Sequence, residues 1–144
     1  MFDRRGTGAS DGLARNAVPT LEEWTDDVHA VLDAVGSTRA SLFSNMDTGP
    51  IAIVYTAMHP ERVSALALMN TWARVMWDEG YPIGVPESLV DELVETMATQ
   101  WGSIEFVAAA NPTVGDAELL RLLAQVTRAS ATPRTAAAQW SYMM

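Results

Sequence analysis

The chain has 144 residues, 49% of them apolar, and a formal net charge of −9 from 18 acidic and 9 basic residues. An acidic balance with no lysine is the wrong footprint for nucleic acid or for an anionic membrane. The absence of cysteine excludes a disulfide framework, thiol chemistry and a cysteine-based metal site.

No run approaches the roughly 20 apolar residues of a membrane span. The basic start Met1-Phe2-Asp3-Arg4-Arg5 is followed by Gly6-Thr7-Gly8 rather than an apolar stretch, so no signal peptide is expected. These features predict a cytoplasmic protein without cofactor or metal. The length favours one domain, built here from a core segment over 1–71 and a second segment over 72–144.

In chain order, Asp3 to Asp11 is a loop in which Gly6 and Gly8 permit bends that other residues resist. A phosphate cradle is disfavoured there, because no Lys-Ser/Thr pair follows and only a strand stub, Met1-Phe2, precedes it. Thr20 to Val35 is the clearest helix. Thr20 and Glu23 form a capping box, Leu21, Trp24, Val28, Val31, Leu32 and Val35 make the apolar stripe, and Gly36 suits a left-handed stop. Glu22, Glu23, Asp26 and Asp27 complement the helix dipole and are read as solvated, not as metal ligands. His29 falls on the polar face, with solubility as its expected role.

Ala40 to Phe43 is a short apolar run, long enough for a buried strand. A tight turn over Asn45–Gly49 follows, and Pro50 suits the first turn of a helix. Ile51, Val54, Tyr55 and Met58 define its apolar face, and His59-Pro60 ends it. Ser64 to Met69 is a second buried strand. Strand, turn, helix, strand is a βαβ unit whose crossover should be right-handed.

This unit, the Asp3-Arg-Arg-Gly-Thr-Gly-Ala-Ser-Asp11 loop and the phrase His59-Pro-Glu-Arg-Val63 together resemble the α/β-hydrolase family. The family places its nucleophile on a strained strand-to-helix bend, Gly-x-Ser-x-Gly. Counted from Gly36 or back from Pro60, that position falls on Met46, and the two glycine positions fall on Ser44 and Thr48. The resemblance implies that the backbone N–H of Asp47 would be an oxyanion donor by position. Two rescues of the nucleophile remain open. Asp47 could serve if the following helix carried a one-residue deletion; Ser44 lies two residues early, within the strand. Neither His29 nor His59 is placed to act as the base, and no triad can be assembled.

From Asn70 to Pro86 runs an aromatic-rich connection containing Trp72, Trp77 and Tyr81. It resembles the hydrolase-like modules of proteins that also carry an adenylate-cyclase domain, through the phrase Tyr81-Pro82-Ile83-Gly84. Packing against the rest of the chain is one reading of these aromatics; the wall of a substrate pocket is the other. Helices are expected over Glu87–Trp101, over Asp116–Thr127, and from Thr132 and Pro133 to the end.

The fold class is therefore α/β: a partial hydrolase-type parallel sheet with flanking helices, then a helical cap region. The implied function is that of an esterase- or hydrolase-like protein, truncated and inactive alone because Met46 occupies the nucleophile position. The alternative is a catalytically dead ligand-binding or regulatory module. The expected partners are a small apolar ligand or ester, and a second copy docking on the open sheet edge.

Overall fold

A computed structural model describes residues 1–13 and 17–144. Two compact units emerge, one formed by Pro19–Val75, the other by Met1–Val18 together with Met76–Met144.

The contiguous unit begins with α1 (Leu21–Ala34). Thr20 Oγ1 accepts from the Glu23 N–H while the Glu23 carboxylate accepts from the Thr20 N–H, so two orphan donors are satisfied reciprocally. Gly36 follows at φ 66°, where a Cβ would be strained. The buried face of α1 is Trp24, Thr25 and Leu32; Val35, expected in the stripe, caps the helix and lies exposed.

The chain then forms β1 (Ala40–Asn45), a 3-10 turn (Met46–Thr48), α2 (Gly49–Met58), a second 3-10 turn (Pro60–Arg62) and β2 (Val63–Met69). Strands β1 and β2 pair in parallel, with Leu42 opposite Leu66 and Ser44 opposite Leu68. Both strands occur where apolar runs predict them, each extended by a residue or two. Helix α2 buries Ile51, Ala52 and Tyr55, but Met58 in its last turn is exposed. Leu32, Tyr55 and Val63 form the core, with Val28, Ala40 and Leu42 packed around them. Met1-Phe2 is not a strand among the described residues. Two residues supply too few ladder bonds to hold an extended pairing.

The second unit is helical after residue 86: a 3-10 turn (Glu87–Leu89), α3 (Val90–Gln100), α4 (Ile104–Ala110), α5 (Ala117–Ser130) and α6 (Pro133–Met143). Residue types known to cap helices start three of these. Ser103 accepts from the Phe106 N–H, Asp116 from the Glu118 and Leu119 N–H groups, and Thr132 from the Thr135 N–H. Helix α4 is not anticipated by periodicity. Gly102, at φ 74°, separates it from α3, and its missing Cβ leaves room for the Arg128 side chain, which donates to the Gly102 carbonyl. Trp101 adds a tie to the end of α5, its indole N–H shared between the Thr127 and Ala131 carbonyls at 2.9 and 3.1 Å.

Candidate functional site

The strand-to-helix bend at Asn45–Gly49 holds one of two non-glycine residues with a left-handed backbone among the described residues, Met46; the other is Asn70. Asn45 is still extended, at φ −132° and ψ 141°, whereas Met46 turns to φ 53°. An L-residue with a Cβ in the left-handed region costs roughly 1–2 kcal/mol, so the neighbouring contacts must hold it there. Thr48 and Thr71 do so. The Thr48 hydroxyl accepts from the Asn45 N–H at 3.2 Å and donates to the Asn45 carbonyl at 2.8 Å. The Thr71 hydroxyl donates to the carbonyl of Met46. Thr71 reaches that carbonyl over Gly49, where any Cβ would collide with the threonine side chain. Glycine at 49 is thus a condition for the clamp.

Ser44 Oγ lies 2.6 Å from Thr48 Oγ1. A hydroxyl has one proton, and that of Thr48 is committed to the Asn45 carbonyl, so Ser44 is the donor of this pair. Ser44 is also 4% exposed. At this contact Ser44 meets only another hydroxyl, which is not a base that could take its proton. Asp47 occupies the middle of the 3-10 turn and is half-buried. Met46 stands at the apex of the bend, 46% exposed. Its thioether has no proton to surrender and is at most a weak acceptor. The bend therefore presents a side chain outward on a strained backbone, yet the side chain presented cannot be activated as a nucleophile.

Both histidines sit elsewhere. His59 caps the far end of α2, about 15 Å along a ten-residue helix from the bend. His29, expected on a polar face with only a solubilising role, is instead half-buried in a cluster with His59, Tyr55, Arg62 and Asp33. Its position in α1 is readable from the sequence; the meeting of residues 26 to 33 positions apart is not. Arg62 donates to Asp33 Oδ1 at 2.7 Å, to the Ser37 carbonyl at 3.1 Å and to His29 Nε2 at 3.2 Å. The Arg62 hydrogen bond holds the Asp33 carboxyl below the usual carboxylate range, and the same bond raises the arginine. Burial pushes the Tyr55 hydroxyl up.

The aromatic connection divides between the two units. Trp72 belongs to the contiguous unit and is half-buried. Trp77, 49% exposed, and the half-buried Tyr81 belong to the other. There the chain closes a loop: the Trp77 N–H donates to the Val85 carbonyl at 2.9 Å, and the Tyr81 N–H to the Asp78 carbonyl at 2.8 Å. At Gly84 a Cβ would strike the Met76 and Trp77 backbone, so only glycine closes the Tyr81-Pro82-Ile83-Gly84 phrase in this way. Among the described residues no group of three or more His, Cys, Asp or Glu side chains is placed to hold a metal ion. No described helix is long and apolar enough to cross a membrane.

No family model matches the chain. Among curated proteins, RutD of Caulobacter vibrioides, whose assignment as a carbamate hydrolase is provisional, is 33% identical over 75 residues. The pimeloyl-[acyl-carrier protein] methyl ester esterase of Neisseria meningitidis is 31% identical over 78 residues. These alignments cover 51% and 52% of this chain but only 27% and 25% of those proteins. A carboxylesterase of the thaumarchaeon Nitrososphaera gargenis superposes with a TM-score of 0.72 at 17% identity, over 98% of this chain and 52% of its own. A hydrolase from Oleispira antarctica does so with a TM-score of 0.72 at 19% identity, over 96% and 52%. The chain thus spans about half the length of these solved structures. Local sequence similarity and near-complete structural superposition give the same answer: this chain has the α/β-hydrolase fold.

Proposed function

We propose that this chain is a hydrolase-like protein whose strand-to-helix bend delivers no nucleophile, so that it does not hydrolyse esters alone. The observation that carries this reading is Met46 itself: a left-handed, clamped and half-exposed residue at the strand-to-helix bend, bearing a thioether. The Asp47 N–H following it is the candidate oxyanion donor, and half an oxyanion hole without a nucleophile accelerates nothing. The test is turnover of short-chain p-nitrophenyl esters by purified protein. We expect none above buffer. Saturable hydrolysis lost in Asp47→Ala would establish the shifted aspartate as nucleophile, and loss in Ser44→Ala the displaced serine. Met46→Ser alone should restore nothing, since the base and its orienting acid are still lacking.

A second reading is a ligand-binding or regulatory module of the kind carried beside adenylate-cyclase domains, with the helical segment acting as a cap. The loop closed by Gly84 supports it, because it holds the exposed Trp77 and the half-buried Tyr81 on a fixed backbone. Its ligand would be a small apolar molecule or ester. Such a ligand should raise the melting temperature by mass action, with tryptophan fluorescence changing at the same midpoint. A ligand series that shifts neither would leave Trp72, Trp77 and Tyr81 as packing residues. The partner proposed for the sheet edge is a second copy of this chain.

A further inference from the structure

The two histidines of the chain, His29 and His59, lie 30 positions apart in sequence, yet their rings meet with centroids 5.1 Å apart. Both also approach the ring of the fully buried Tyr55, at 6.2 and 4.9 Å. Imidazole is the one side chain whose ordinary charge change falls between pH 5 and 8. Every side chain of this ordinary kind in the chain is thus in one place.

The tautomer of His29 follows from its neighbours. Arginine has donors only. Arg62 Nη1 lies 3.2 Å from His29 Nε2, so Nε2 offers a lone pair and the ring proton is on Nδ1. Nδ1 faces the Tyr55 hydroxyl at 3.4 Å, which accepts. His29 is therefore assigned as neutral with its proton on Nδ1. A second proton on Nε2 removes the acceptor that Arg62 uses and aims an N–H at a guanidinium. The carboxylate able to take that proton's hydrogen bond is Asp33, whose Oδ2 is 3.5 Å from Nε2. Asp33 already holds Arg62 through Oδ1. Imidazolium and guanidinium then compete for one carboxylate. The His59 ring, tilted 51° to that of His29, has Glu61 at 3.8 Å as its own counter-charge.

We infer that His29, His59, Arg62 and Asp33 form a pH-responsive catch joining the C-terminal half of α1 to the turn after α2. With both rings neutral, Arg62 bonds His29, Asp33 and the Ser37 carbonyl and ties the two elements together. Protonation transfers His29 from Arg62 to Asp33 and sets two imidazolium rings with centroids 5.1 Å apart beside an arginine. The groups facing the pair are Asp33 from α1, Tyr55 from α2, and Glu61 and Arg62 from the turn. Tyr55 stays neutral throughout this range, so Asp33 and Glu61 are left against three cations. Stability is greatest with the rings neutral and declines as pH falls.

The test uses the full chain at pH 7.5 and 5.5, a window in which ordinary carboxylates stay charged. Imidazole ¹⁵N spectra at pH 7.5 should show His29 protonated on Nδ1. Urea unfolding should give an unfolding constant roughly three- to tenfold larger at pH 5.5, the worth of one net hydrogen bond. In His29→Gln, where an amide oxygen can accept from Arg62 at either pH, that change should shrink by at least half. The His29→Gln/His59→Gln double variant should abolish all of it except the contribution of the α-amino group. An Nε2-protonated His29 at pH 7.5, or a wild-type unfolding constant equal at the two pH values, would overturn the proposal. The spectra need no substitution, so a variant that fails to fold does not shelter it.

Discussion

Met46 holds a left-handed backbone without being glycine, and the hydroxyl of Thr48 is the hub that keeps it there. Replacing Thr48 with valine preserves shape and removes that hub. Asn45 then loses both its bonds to the Thr48 hydroxyl, and the buried Ser44 loses its acceptor. We expect Thr48→Val to cost about 1–3 kcal/mol, the range for leaving a buried polar group unpaired, read from urea midpoints. Gly49→Ala should cost at least about 2 kcal/mol through overpacking, because its methyl group meets Thr71. Gly49→Ala combined with Thr71→Gly should cost less than the sum of the two single changes, and strict additivity in that cycle would refute the collision. Counting residues from the sequence puts Met46, Ser44 and Thr48 where the resemblance expects the three letters of Gly-x-Ser-x-Gly. It registers the last two only as lost glycines. That their hydroxyls bond each other depends on a side-chain geometry that no spacing encodes.

Helix boundaries in this chain follow local chemistry closely, and so they were largely legible. Thr20 and Glu23 start α1 by a reciprocal cap, and Thr20→Ala should destabilise the protein by about 1 kcal/mol, measured as a lowered urea midpoint with an unchanged slope. Helix α4 escaped because its seven residues, Ile104–Ala110, are alanine-rich and too short to display a period. Its signal was the single cap Ser103. The histidine cluster escaped for the opposite reason, since it is made by tertiary contact between α1 and the turn after α2. Electrostatics there give an acid-range expectation. The Asp33 carboxyl is held below its ordinary value by Arg62. A carboxyl lowered in the folded state contributes stability above the unfolded value near 4, and that contribution disappears as pH falls through the lower folded value. Asp33→Asn should therefore lose less stability than wild type between pH 5 and pH 3. An equal loss in both would mean that the ion pair, which is solvent-exposed on the Asp33 side, contributes nothing measurable.

At the scale of the whole molecule, the described sheet has two strands, each paired on one side. Phe43 is 69% exposed on β1, and Leu68 and Met69 are 44% and 45% exposed on β2. Open edges bearing apolar side chains are templates for pairing. If a second copy covers this edge, light scattering should show mass rising with concentration, and Phe43→Glu should shift the protein toward monomer. A monodisperse monomer with sharp near-ultraviolet dichroism would remove self-association and favour the ligand-binding reading. The βαβ unit was visible because its strands are dense apolar runs bounded by turn residues. By composition those runs read as buried strands; the open edge follows instead from how few strands the chain offers to cover them.

The Gly8 N–H donates to the Ser130 carbonyl at 2.6 Å, and Arg4 reaches Gln139 at 3.5 Å. The first stretch of the chain is thus fastened to the last two helices, while Pro19–Val75 forms a unit from one uninterrupted segment. On a ribosome this separates two events in time. The βαβ unit has all its residues once the chain has emerged past Val75. The N-terminal loop must wait, solvated, for more than a hundred further residues before its acceptor at Ser130 exists. Synthesis at roughly 5–20 residues per second makes that wait many seconds, long against the microsecond formation of a helix. A ribosome stalled between Val75 and Ser130 would hold a chain with one unit ready to fold and the other lacking its closing contacts.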